Sequence, residues 1–248
     1  MKERTRLEQE AIAEAAERQM RRCLMMQEIE ERLEHEEAGK LLADHFGPYI
    51  TISREAGAGG GQIAISVAEK LGWEVFDSKL LDFMAQHYHL PRDILTLVDE
   101  RTASWLHDTF GGWLDRHLVS QSEYLEHLGK IVLLAAYNGR AVFVGRGVHL
   151  LLPREKGFAV RVIAPLDYRI KETMRVRGLS QEQARKSVEE TDRGRREFVR
   201  RHFHHDVADP GLYDLVINVA RIGPQAASDL IVEAAGHCLC ETRILEQT

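Results

Sequence analysis

The chain has 248 residues, 44% of them hydrophobic and 29% charged, and a formal net charge of −6. That is the profile of a soluble globular protein with room for one α/β domain and an appendage, and its acidic balance argues against a general nucleic-acid or membrane-surface binder. No apolar stretch is long enough to span a bilayer, and Cys23, Cys238 and Cys240 make neither a disulfide framework nor a complete zinc set.

Residues 1–46 stand apart, rich in Glu, Arg, Ala and Met and without proline. The opening MKERTRLEQE has no hydrophobic signal region, so a cytoplasmic location is expected. Ile12, Ala16, Cys23, Met26 and Leu33 follow a heptad-like 4-3 spacing broken at Gln19 and Glu30, which predicts one long helix with a narrow apolar seam. Such a helix either lies along its own domain or pairs with a second copy as a homodimer coiled coil. Gly47-Pro48 ends it, and residues 47–248 read as one domain.

From residue 49 apolar strands alternate with helical patterns. Strands are expected at 49–53, 74–76, 141–144, 159–164 and 215–218. Helices are expected at 61–71, 78–88, 91–108, 121–138, 166–177, 180–202 and 223–239. The alternation predicts an α/β fold with a parallel sheet covered on both faces.

The stretch ITISREAGAGGGQIA runs from strand through a glycine loop into a helix. Such a loop converges backbone N–H groups on an anion, and the helix adds the positive end of its dipole. The ATP-binding form reads G-x-x-x-x-G-K-[ST]. Aligning Gly59 with the second motif glycine puts Arg54 at the first, Gly60 at the lysine and Gly61 at the hydroxyl position. The loop by itself fits a structural turn equally well.

Three arginine-bearing stretches add weight. VGRG places Arg146 just after an apolar strand, where open α/β sheets bind ligands. APLDYRIKETMRVRGLS carries Arg169, Arg175 and Arg177, and EETDRGRREFVRRHF packs Arg193, Arg195, Arg196, Arg200 and Arg201 behind Asp192. In a net acidic chain this concentration points to a polyanionic ligand or a dense salt-bridged lid. His202, His204, His205 and Asp206 lack the i,i+4 spacing of a helical zinc pair, so no zinc site is expected.

Together ITISREAGAGGGQIA, GWEVFDSKLL, AVFVGRGVHLLLP, RVIAPLDYRIKETMRVRGLS, TDRGRREFVRRHF and DPGLYDLVINVARI resemble, in order, the cytidylate kinase-like family, relatives of the nucleoside monophosphate kinases. The resemblance implies a P-loop NTPase-like three-layer fold with a parallel sheet and helical lid, the first 46 residues lying outside it as a helical extension. It implies ATP and Mg²⁺ as cofactors, CMP or dCMP as default acceptor, and nucleotides as small-molecule partners, with no nucleic acid and no membrane. By the resemblance Arg54, Gly57, Ala58, Gly59, Gly60, Gly61 and Gln62 hold the donor nucleotide, while Asp77, Arg146 and Arg169 bind the acceptor. Arg146, Asp192, Arg193, Arg195 and Arg196 form the catalytic set, Asp192 orienting the arginines or helping to place the metal. No residue is assigned as a metal ligand.

The chain departs from true cytidylate kinases at Gly60, where they keep a lysine, at Gly147, where they have the aspartate of Gly-Arg-Asp, and at Asn218, where the last strand often ends in an acid. A guanidinium binds two phosphate oxygens at once, so the lid arginines or Arg54 could replace the lysine. The same departures fit an inactive nucleotide- or phosphate-sensing module with the N-terminal helix as its output or oligomerisation arm.

Overall fold

The computed structural model describes residues 8–21, 48–88, 122–152 and 154–245. In chain order these form α1 (8–21), β1 (Tyr49–Arg54), α2 (Gly60–Leu71), β2 (Glu74–Phe76), α3 (Ser78–His87), α4 (Ser122–Tyr137), β3 (Ala141–Val144), β4 (Gly157–Ile163), α5 (Leu166–Arg177), α6 (Gln181–Phe203), β5 (Leu215–Asn218) and α7 (Val219–Leu245). Two compact units divide the chain: Met1–Gly47 with Ser78–Gly139, and Pro48–Asp77 with Arg140–Thr248. The sequence boundary after residue 46 falls beside one crossing between them. The crossings at 77/78 and 139/140 carry no composition shift that would mark them.

In the first unit, α1 buries Ala16 and Met20, an i,i+4 pair, and Glu8 pairs with Lys79 of α3. The seam positions Cys23, Met26 and Leu33, and the helix expected at 91–108, lie outside the described residues. α4 is apolar around much of its girth, burying Leu125, Leu128, Ile131, Val132 and Ala135, and the Tyr124 hydroxyl donates to Asp82 of α3 at 2.5 Å.

The second unit is built on a five-stranded, all-parallel sheet of order β2-β3-β1-β4-β5. Its strands read as continuous apolar runs because both faces of a parallel sheet are covered. Ile50 and Ile52 of β1, with Val142, Val144, Val160 and Val162, pack on Ile63, Ala64 and Val67 of α2 and on Ala227, Ile231 and Ala235 of α7. Alternation then puts Thr51 and Ser53 on the opposite face of β1. Phe143 stacks on Phe76 with ring centroids 5.3 Å apart.

Helix ends follow the local chemistry. Gly59 (φ 75°) caps α2, which starts one residue earlier than the periodicity suggests. Gly178 (φ 66°) ends α5, and a reciprocal Ser180–Gln183 capping box starts α6 two residues later. β4 begins at Gly157, two residues early, since a glycine there lets the Tyr49 ring lie across the strand end. Gly223 is non-helical (φ 78°, ψ 160°), so α7 is a short helical turn from Val219 joined across this kink to the helix expected from 223. Asn218 accepts from the Ala220 N–H at 3.2 Å, so the amide that ends β5 tethers the first turn of α7. No described helix is long and apolar enough to cross a membrane.

Candidate phosphate-binding site

The parallel strands deliver two loops to the carboxyl end of the sheet, since β1 and β3 are neighbours in register and both end there. Beyond β1, Glu55–Gly59 turns into α2 with Gly57 and Gly59 left-handed at φ 77° and 75°. Only glycine fits at 57, where a Cβ would stand 2.5 Å from the Arg169 carbonyl oxygen and 2.8 Å from Thr173 Oγ1. The first N–H groups of α2 have no intrahelical acceptor and carry the dipole's positive end, a geometry suited to an anion.

A buried network braces this loop from below. Arg169 of α5, 8% exposed, donates from Nε to the Ala164 carbonyl (2.8 Å) and from Nη1 to the Ala56 carbonyl (3.2 Å). Its guanidinium pairs with Glu55 at 3.4 Å and, more closely, with Asp192 of α6. Asp192 also accepts the Ala56 N–H at 2.7 Å, and Glu55 accepts the Ala164 N–H at 3.0 Å. Three elements are thus tied to one loop. Withdrawing one partner would strand a buried charge, at a cost of about 3–5 kcal/mol.

Above the loop the charges are less balanced. The side chain of Arg54 leaves the end of β1, crosses Gly60 and reaches Gly145 after β3. A Cβ at 60 would stand 2.6 Å from Arg54 Cβ, and one at 145 would stand 1.9 Å from its Nη1. Burial first, then Arg195 and Arg146, pull the Arg54 guanidinium down to about 9, while Asp77 pulls it the other way. Arg195 of α6 donates to the Arg54 carbonyl at 2.9 Å. It too is held below its ordinary value, by burial and then by Arg146, Arg161 and Arg177 against the opposing pull of Asp192.

Arg146 adopts φ 54° between Gly145 (86°) and Gly147 (68°), a run of three left-handed residues, and lies over the Phe198 ring at 5.5 Å. A left-handed arginine costs about 1–2 kcal/mol, which marks the turn as a place where position outweighs comfort. Asp77 is exposed at the end of β2, and Gly61 and Gln62 are exposed in the first turn of α2.

Of the residues singled out in the sequence, Arg54, Gly57, Ala58, Gly59, Gly60, Arg146, Asp192 and Arg195 converge around the loop. Arg193 and Arg196 are exposed on α6 and make no ion pair with a described residue. Arg169, expected on substrate, here engages Glu55, Asp192 and two backbone carbonyls. Sequence reading passed over Glu55, and also Arg161, an arginine inside the apolar run AVRVI. That run carries the same signal that drew attention to Arg146.

Arginines gathered beside a left-handed glycine loop have the chemistry to meet a polyphosphate. Among the described residues no trio of His, Cys, Asp or Glu converges on a metal position. Asp77 is the exposed carboxylate at the rim of the loop.

A model of the cytidylate kinase-like family matches residues 49–221, well over half the chain. The chain belongs to the cytidylate kinase-like family. No curated protein sequence matches it. A solved, uncharacterized protein from Eubacterium ventriosum ATCC 27560 is similar in fold, with TM-score 0.58 and 18% identity over 76% of this chain and 98% of that one. More distantly, a shikimate kinase from Acinetobacter baumannii in complex with shikimate superposes at TM-score 0.41 and 14% identity, covering 79% and 95% of the two chains. A dephospho-CoA kinase from Campylobacter jejuni superposes at 0.30 and 15%, covering 79% and 98%.

Within this family member, the departures have physical occupants. Arg54 fills the space beside Gly60, so no side chain can be added at the lysine position without moving it. The Phe203 ring fills the space beside Gly147, where a Cβ would stand 2.4 Å from a ring carbon. Family membership points to phosphoryl transfer onto a nucleotide or other small molecule as the class of activity.

Proposed function

We propose that this protein is an ATP-dependent small-molecule kinase whose donor phosphates lie in the Gly57–Gly61 loop, with CMP or dCMP the first acceptors to test. The observation that carries this reading is Arg54 lying across Gly60 and flanked by Arg146 and Arg195, a cationic cluster where related loops keep one lysine. Phosphoryl transfer asks little covalent chemistry of the protein; alignment and neutralisation of the moving charge suffice. Backbone N–H groups of the loop hold the donor phosphates, with Ala58 and Gln62 shaping its two ends. Arg54 takes the lysine's role at those phosphates, and Arg146 and Asp77 face the acceptor. Arg193 and Arg196, exposed and unpaired in this state, are free to reach the transferring group, while Arg195 fixes the loop edge. A Mg²⁺ ion, with Asp77 the exposed carboxylate at the rim to help hold it, would supply neutralisation of phosphate charge. Asp192 and Arg169 act beneath the site by fixing Ala56.

A second reading, a nucleotide-sensing module without turnover, draws on Gly61 offering no hydroxyl to a metal and on Asp192 being committed to Arg169. Incubation with ATP and Mg²⁺ against nucleoside monophosphates, their deoxy forms and small hydroxylated metabolites separates the two. New phosphorylated product supports the kinase and names its acceptor. ATP binding without product from any acceptor would replace it with the sensor.

A further inference from the structure

Arg161 sits in the middle of β4, and nothing in the glycine loop accounts for it. The residue is 8% exposed, as buried as the braced Arg169, yet it makes no ion pair with a described residue. Of its five N–H donors one finds an acceptor, Ser53 Oγ at 3.1 Å, and the guanidinium lies 5.6 Å from the centre of the Tyr213 ring. Ser53 and Arg161 are register partners on β1 and β4, on the face opposite Ile52 and Val160.

The surroundings are unsatisfied too. His149, 9% exposed, packs on the other reach of Tyr213 with centroids 4.8 Å apart, and its Nε2 has no partner. Thr51, on the same face of β1 as Ser53 and 3% exposed, leaves Oγ1 without a partner. Among the described residues three buried side-chain polar atoms lack a hydrogen bond, His149 Nε2 among them. Tyr213 is held in place by its hydroxyl, 3.0 Å from the Val207 carbonyl and 3.3 Å from Ser53 Oγ.

A buried cation without a counter-ion is costly, and a hydrophobic side chain of similar volume would be the more stable occupant. An orphaned buried group beside such a cation calls for a partner, and an anion satisfies both at once. We propose that Arg161, His149 and Ser53, with Tyr213 as their wall, form a second anion subsite that takes one oxyanion of the acceptor. The word acceptor rests on the kinase reading; the binding of an oxyanion does not. The subsite adjoins the glycine loop through Arg195, which feels the charge of Arg161 and bonds the Arg54 carbonyl. Burial, then Arg161, His205 and Arg154, hold the His149 ring neutral, so it has one N–H to offer and adds no further charge.

The test uses the full chain with a non-hydrolysable ATP analogue present to fill the loop. Inorganic phosphate, and acetate in a parallel arm, are titrated while thermal unfolding and binding heat are followed. Wild type should gain melting temperature with one of the two anions, and the stronger response says whether phosphate or carboxylate is the natural group. Arg161→Met should weaken that anion by about ten- to a hundred-fold, the worth of hydrogen bonds to a charged group. Its unliganded melting temperature should be no lower than that of wild type. Arg161→Lys, keeping the charge, should bind with an intermediate affinity. Anion affinity within about twofold of wild type in Arg161→Met, loss of its fold, or no response of wild type to either anion would overturn the proposal. An analogue that fails to bind sinks the kinase reading alone, because phosphate lodged in the loop would be indifferent to Arg161.

Discussion

Replacing Gly60 by alanine should destabilise the protein although alanine is the better helix former. Inside a helix, alanine is favoured over glycine by up to about 1 kcal/mol. The new methyl group at 60, however, would stand 2.6 Å from Arg54 Cβ and 2.9 Å from its Cγ. Carbon atoms at rest lie roughly 3.5–4 Å apart, so the site is about 1 Å too small. The colliding atoms are the root of the Arg54 side chain, which cannot swing away as its tip could. Overpacking of this kind costs about 1–3 kcal/mol. At the neighbouring Gly61 a Cβ meets nothing within 4 Å. Two identical substitutions one residue apart should therefore differ by about 1–3 kcal/mol, with Gly61→Ala the more stable. Urea unfolding midpoints of the two variants, compared at equal m-values, read this difference directly. Equal midpoints would refute the idea that Arg54 owns the space beside Gly60. Activity gives an independent arm: Gly60→Lys should abolish turnover, whereas Arg54→Ala combined with Gly60→Lys should recover part of it.

Further outcomes follow from the same geometry. Asp192→Ala should lower stability by about 3 kcal/mol, since Arg169 loses its closest carboxylate and the Ala56 N–H its acceptor; a urea midpoint unchanged from wild type would contradict the brace. Arg193→Ala and Arg196→Ala should leave the melting temperature near that of wild type but cut turnover, on the order of 10³-fold if either guanidinium meets the transferring group. His149, pushed down to about 3 in the folded state, stays neutral while its unfolded counterpart protonates below about 6.5. The unfolded state then binds more protons across that window, so stability rises with pH there and falls on acidification. By about pH 5 this one residue should cost roughly 2 kcal/mol, and His149→Asn should flatten the acid limb of a stability–pH profile by that amount.

Much of the sheet was legible because its strands are short apolar runs closed by Gly, Pro or Asn, and their alternation with helices leaves little topological choice. The turn itself was legible for the same reason: four glycines after β1 mark a tight connection into α2. What stayed hidden depends on contacts far apart in the chain. Nothing near Arg54 announces that Gly145 makes room for its tip. Asp192 sits among arginines in sequence, yet its closest partner is Arg169 on another helix. Arg193, Arg195 and Arg196 look like one cluster when read in line, but a helical period turns Arg195 toward the loop and leaves the other two in solvent. The start of the longer helix in α7 was visible at Gly223-Pro224, but the helical turn before it, from Val219, was not. Arg161 was available to inspection, since a charged residue inside a fully apolar strand always asks what neutralises it.

The packing of Arg54 against Gly60, and of Phe203 against Gly147, has an evolutionary side. Each pair is a lock whose two halves must change together. A descendant that acquired lysine at 60 alone would collide with Arg54, and one that acquired aspartate at 147 alone would collide with the Phe203 ring. Placing a lysine at 60 or an aspartate at 147 therefore takes two coordinated changes rather than one.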